Sequence, residues 1–136
     1  MSKACKTKNY SGAANLNEYL ALARDKPFEW GVHDCAHFTL GAVEVQTGAR
    51  YEPPKYSSAA QAFSCFVKQS MSDWFDERFE RCVHVPPVGS IAVVKCDDAI
   101  TQRAGIVVSD KAAFVSPSGL VFAKLRPETD LYWIVT

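Results

Sequence analysis

The stretch Lys26-Pro-Phe-Glu-Trp-Gly-Val-His-Asp-Cys-Ala-His-Phe-Thr-Leu-Gly-Ala-Val-Glu-Val-Gln-Thr-Gly48 decides how the chain is read. Pro27 stops whatever precedes it, and Gly31 permits a tight backbone turn. Asp34 is then a natural N-cap, and a helix is expected from Cys35 to about Thr47. Phe38, Ala42 and Val45 give that helix a buried face. Gly48 supplies the residue just past its end. This arrangement puts Cys35 in the first turn of a helix, near unpaired backbone N–H groups and the positive end of the helix dipole. Both effects favour thiolate and predict a lowered pKa. The same N–H groups suit an oxyanion in acyl transfer.

Upstream, Asn15 and Glu18 have capping-box spacing, and Leu16, Leu20 and Ala23 fall on one face, so a helix is expected over Asn15–Arg24. Before it, residues 1–14 are polar and lysine-bearing. They read as an N-terminal arm, mobile on its own or ordered by docking. Downstream, Pro53-Pro54 marks a loop. A third helix begins near Ser58 with Gln61 as its capping partner, carrying an apolar stripe of Ala59, Ala62, Phe63, Phe66 and Val67. A shorter helix is expected over Asp73–Phe79, with Trp74 and Phe75 inward. After Pro86-Pro87 the hydrophobic period changes. Ser90–Lys95, Ala104–Val108, Ala112–Val115, Leu120–Leu125 and Leu131–Val135 read as short strands in an antiparallel meander of four to five strands. Helices first and strands second imply an α+β fold, with residues 15–136 forming one domain.

Composition narrows the function classes. The chain has 136 residues, 48% hydrophobic and 22% charged, as in an ordinary globular domain. Fifteen basic residues balance fifteen acidic ones, which argues against nucleic acid as a partner. No apolar run approaches the ~20 residues of a membrane span, and the N-terminus lacks the apolar stretch of a secretory signal, so membrane insertion and export are not expected. Five cysteines occur at 5, 35, 65, 82 and 96, without a Cys-x-x-Cys pair. Cys65, Cys82 and Cys96 read as packing thiols and Cys5 as part of the arm. No metal or cofactor is expected, because the His33-x-Cys35-x-His37 alternation crosses a turn and a helix start rather than following a strand.

The segment Pro27-Phe28-Glu29-Trp30-Gly31-Val32-His33-Asp34-Cys35-Ala36-His37-Phe38 resembles the nucleophile region of the NlpC-like, papain-like cell-wall peptidases. Pro87-Val88-Gly89-Ser90 resembles that superfamily's lead-in to its first sheet strand, with Ser90 in place of an aspartate. Arg103-Ala104-Gly105-Ile106-Val107-Val108 resembles the strand that carries its catalytic histidine. The opening motif and Gly119-Leu120 are most similar to a small phage-encoded branch associated with tail tip genes. The resemblance implies an NlpC-like fold with Cys35 as nucleophile, supported by Trp30, Gly31, His33 and Asp34. It places Arg103 where the base should stand and Ser116 as the only polar choice for the third position. Arginine stays protonated and cannot act as a general base. His33 reads as a structural residue of the turn. His37 lies two residues along the same helix, so it faces away from Cys35, and His84 precedes the sheet.

Two expectations follow from the resemblance. One is a structural component of the virion, a tail tip or baseplate protein made in the host cytoplasm, with an inactive peptidase fold and other tail tip or baseplate hub proteins as partners. The alternative is an active cysteine peptidase or amidase acting on peptidoglycan stem peptides during entry.

Overall fold

A computed structural model describes residues 14–95 and 102–135. Residues 1–13 of the N-terminal arm, with Cys5, and Cys96 and the Asp97-Asp98 turn therefore lie outside the described residues. Four helices come first: α1 (Leu16–Ala23), α2 (Cys35–Thr47), α3 (Ala59–Lys68) and α4 (Met71–Asp76). Six strands follow: β1 (Glu80–Arg81), β2 (Ile91–Lys95), β3 (Gln102–Val108), β4 (Lys111–Ser116), β5 (Gly119–Lys124) and β6 (Leu131–Ile134). The fold is α+β.

Local chemistry starts each helix. Asn15, Asp34, Ser58 and Ser70 each accept a backbone N–H three residues on. Glu18 and Gln61 return the contact, taking the N–H of Ala14 and Ser57 at 2.7 Å each. Gly48 closes α2 with φ +78°, a left-handed conformation that favours glycine. The shortest helix, α4, starts two residues before the position expected from sequence, because Ser70 caps it.

The sheet order is β1-β6-β2-β3-β4-β5, antiparallel throughout. β2 to β5 form the expected meander. β6 does not extend it: the chain crosses back and pairs with β2, Ile91 opposite Trp133. β1 is a further strand, two residues long, added on the outer side of β6. Asp76 holds this corner together, accepting from Trp133 Nε1 at 2.9 Å and from Arg81 Nε and Nη2 at 3.1 and 2.9 Å.

Alternation along the strands creates two unlike faces. Ile91, Val93, Ala104, Ile106, Ala113, Val115 and Trp133 pack with Tyr19, Phe38, Val43 and Phe75 of the helices in the main core. Ala92, Val107, Ala112, Phe114 and Tyr132 form a smaller cluster on the opposite face, with Cys82, Val94 and Leu125 packed against it. The two-residue periodicity therefore decides which strand side chains can meet α2.

Candidate functional site

The site is built on the turn before α2. Asp34 is fully buried. Its Oδ2 accepts the Gly31 N–H at 2.8 Å, and its Oδ1 accepts the His37 N–H at 2.9 Å and lies 2.7 Å from His37 Nδ1. Burial pushes the Asp34 carboxyl up, but the His37 ring, the two N–H donors and the His37 charge outweigh it and hold the carboxyl below its usual range. Gly31 sits at φ +79°, and a Cβ there would come within 2.2 Å of the Tyr56 carbonyl oxygen. Only glycine fits both demands. Glu29 and His33 close the loop with paired backbone hydrogen bonds of 2.8 and 3.0 Å. His33 is buried with its ring edge-on to Phe38, and burial together with the Lys26 charge lowers its pKa to about 4.

Cys35 begins α2 and is half-buried. The N–H groups of Ala104 and Ala36 are hydrogen-bonded to its sulfur, and the Arg103 charge also favours thiolate. Burial dominates nonetheless, and with the Asp34 charge it pushes the thiol up to about 11. This reverses the lowered pKa expected from the helix start, because desolvating a thiolate against an apolar wall outweighs a helix-end field.

That wall is one side of a groove of about 480 Å³. Trp30, Tyr56, Phe63, Phe66, Val67 and Met71 supply apolar surface, while Ser70 and Gln102 are polar beside Cys35. Trp30 is 38% exposed and stands at the groove wall, whereas Trp133 is fully buried in the core. The apolar stripe of α3 lies mostly in the open: Phe63 is 57% exposed and Val67 64%, and Ala62 is the buried residue of that helix. Cys65 of α3 and Cys82 are half-buried, and the Cys82 thiol donates to the His84 carbonyl oxygen at 3.5 Å.

The strand position beside the thiol belongs to Gln102. Its Oε1 accepts the Ser72 N–H at 3.0 Å, and its Nε2 donates to Ser72 Oγ at 3.0 Å. Both ends of the amide are thus engaged by α4. Arg103 is the next residue and so projects to the opposite face, its guanidinium 6.0 Å from the Phe114 ring centre. Ser116 ends β4, where its hydroxyl donates to the Gly119 carbonyl oxygen at 2.7 Å and accepts the Ser118 N–H at 3.3 Å, within the β4–β5 turn. Cys35, Asp34, Gly31 and Trp30 are therefore gathered at the groove end of α2, and Arg103 and Ser116 are not brought to the thiol. His37 is occupied by Asp34 and packs edge-on to Tyr56, and His84 is exposed in the loop before β2.

Sequence reasoning missed Tyr56, and it set Gln102 aside as a group that cannot supply the proton. Tyr56 packs against Trp30, His37 and Phe66, and its hydroxyl shares a hydrogen bond with Asp34. Burial and the neighbouring carboxylate push that hydroxyl well above the ordinary phenol range. No local signal marks Tyr56, since it reaches the site only because the loop before α3 folds over Gly31. Gln102 was findable in principle: two-residue alternation from Ala104, a core position, puts it on the helix side.

The family described as a domain of unknown function, DUF6950, matches residues 9–135. The chain belongs to the DUF6950 family. No curated protein and no solved structure matches it. Among the described residues of this DUF6950 domain no group of three or more His, Cys, Asp or Glu could hold a metal, and no helix is long and apolar enough to cross a membrane.

Proposed function

We propose that this chain is a structural component of a phage tail tip or baseplate, built on an NlpC-like papain fold that has lost its peptidase chemistry. The observation that carries the loss of chemistry is the surroundings of the Cys35 thiol. Its pKa stands at about 11, the strand side chain beside it is a fully engaged Gln102, and Arg103 projects from the other face of the sheet. A thiol hydrolase needs thiolate or a base within hydrogen-bond reach of the sulfur. At pH 7 a pKa of 11 leaves about one thiol in ten thousand ionised. The assignment to a tail tip rests on the likeness of residues 27–38 and Gly119-Leu120 to the phage branch. Its partners are then neighbouring tail tip or baseplate hub proteins, and its location is the virion.

A second reading, hydrolysis of peptidoglycan stem peptides, is favoured by one feature. The Ala104 and Ala36 N–H groups favour the Cys35 thiolate at the wall of an apolar groove, as the nucleophile of a thiol hydrolase requires.

Two measurements separate the readings. Incubation with peptidoglycan sacculi, beside a Cys35→Ala control, is expected to release no Cys35-dependent fragments. Such release would overturn the structural reading. Alkylation of Cys35 by iodoacetamide is expected to accelerate about tenfold per pH unit up to pH 10 with no plateau. A plateau below pH 8 would show an activated thiol and favour the hydrolase.

A further inference from the structure

The loop between β1 and β2 presents apolar side chains that no described residue covers. Val83 is 82% exposed and Val85 88%, the two most exposed large apolar residues among those described, and Val88 is exposed beside them. Residues 82–90 contain no Asp, Glu, Lys or Arg. The loop is nonetheless held at both feet. The Cys82 N–H donates to the Tyr132 carbonyl oxygen at 2.8 Å, and the Gly89 N–H to that of Val107 at 2.9 Å. Ser90 donates to the Pro87 carbonyl oxygen twice, through its N–H at 3.1 Å and its hydroxyl at 2.7 Å. Pro86 is buried, and with Pro87 it fixes two φ angles and keeps Val85 out of the helical region. An apolar tip that is ordered before it meets a partner loses little entropy on docking.

The Cys35 groove has the matching character. No Asp, Glu, Lys or Arg is among the described residues that line it, and Trp30, Tyr56, Phe63 and Phe66 make its walls aromatic. Its polar side chains are engaged by α4, Gln102 with Ser72 and Ser70 with the Asp73 N–H. At about 480 Å³ it can enclose a few apolar side chains. Proline-bearing extended segments dock in aromatic-lined grooves of this kind. The loop cannot fill the groove of its own chain. Gln46 Nε2 donates to the Gly89 carbonyl oxygen at 3.1 Å, which pins one foot eleven residues beyond Cys35, about 16 Å along α2. The other foot, Cys82, packs on the small cluster of the sheet face away from α2.

We propose that residues 83–88 of one copy dock in the Cys35 groove of a second copy, Val83 and Val85 meeting Phe63 and Val67, so that copies join head to tail. A contact between two different patches repeats into a closed ring or an open filament. A loop in a groove belongs to the small interfaces, below about 1,200 Å², so one contact is weak and the assembly gains strength by repetition. A second copy is a partner in any assembly, so the contact does not depend on the tail-tip assignment.

The test is sedimentation velocity of the full chain across the micromolar range, where the sedimentation coefficient is expected to rise with concentration. The Val83→Ser, Val85→Ser loop variant and the Phe63→Ser, Val67→Ser groove variant should each weaken self-association at least tenfold. All four positions are exposed, so circular dichroism should be unchanged. The loop variant keeps an intact groove and the groove variant an intact loop, so an equimolar mixture should form one-to-one pairs that neither forms alone. If a double variant fails to fold, the near-isosteric Val85→Thr and Val67→Thr variants should each weaken association several-fold. A sedimentation coefficient independent of concentration, or a mixture that stays monomeric, would overturn the proposal. Loss of association in one double variant but not the other would overturn it too, since that marks loop-to-loop or groove-to-groove pairing instead.

Discussion

Helices α2 and α3 begin alike and end up with opposite roles. Each starts at a side-chain cap that accepts an N–H three residues on, and each carries several apolar residues. In α2, Ala36 and every residue from Phe38 to Val43 are buried. Gly41 makes room for Tyr19, whose hydroxyl donates to the Phe38 carbonyl oxygen at 2.6 Å; a Cβ at position 41 would meet that hydroxyl at 2.2 Å. In α3 the apolar residues fall on one stripe, yet Phe63 and Val67 remain exposed along the Cys35 groove. A helix that is apolar all round has to be enclosed, whereas an apolar stripe requires one cover and finds only part of it here. Thus α2 carries the fold, and α3 carries surface available for contact.

The largest expected effect breaks this comparison most directly. Phe38→Ala should cost about 3–5 kcal/mol in urea unfolding, whereas Phe63→Ala should change stability by no more than about 0.5 kcal/mol. Equal losses would mean that α3 is part of the core after all. The next test concerns the lead-in to α2. The unfolded chain protonates His33 near pH 6.5 and the folded chain only near 4. Stability from this group is therefore complete above pH 6.5 and is lost as pH falls through that window, by about 3 kcal/mol at pH 4. His33→Phe should flatten the slope between pH 6.5 and 4, and an unchanged slope would place the acid sensitivity elsewhere. The smallest contrast compares the caps. Asp34→Ala strips the Gly31 N–H and the His37 ring of a buried acceptor and should cost about 2–3 kcal/mol. Ser58→Ala removes one exposed cap from α3 and should cost about 1 kcal/mol. Thermal or urea unfolding of the pair would show whether the caps differ as the helices do.

Much of this was legible along the chain. Asp34 and Gly48 mark both ends of α2, and the change from helical to strand period after Pro86-Pro87 marks the α+β division. β1 was not legible, because two residues are too few to show alternation. The return of β6 to β2 was not legible either, because strand order depends on long-range pairing. At the site, Asp34, Cys35 and Gly31 could be read from the local cap and turn. Tyr56 could not, since a loop brings it to Asp34 from more than twenty residues away.

Sequence by itself determined the places where backbone chemistry is local: the capped helices, the strand period, and a cysteine in the first turn of α2. Only the tertiary structure decided what those features meet. Packing against the groove wall removed water from Cys35 and raised its pKa against the pull of the helix start. Sheet pleating turned Arg103 away from Cys35 and toward the Phe114 ring, so the arginine that stands in the base's place in sequence belongs, in space, to a different surface. Caps and periods act over a few residues, while desolvation and side-chain facing depend on which distant segments close over them.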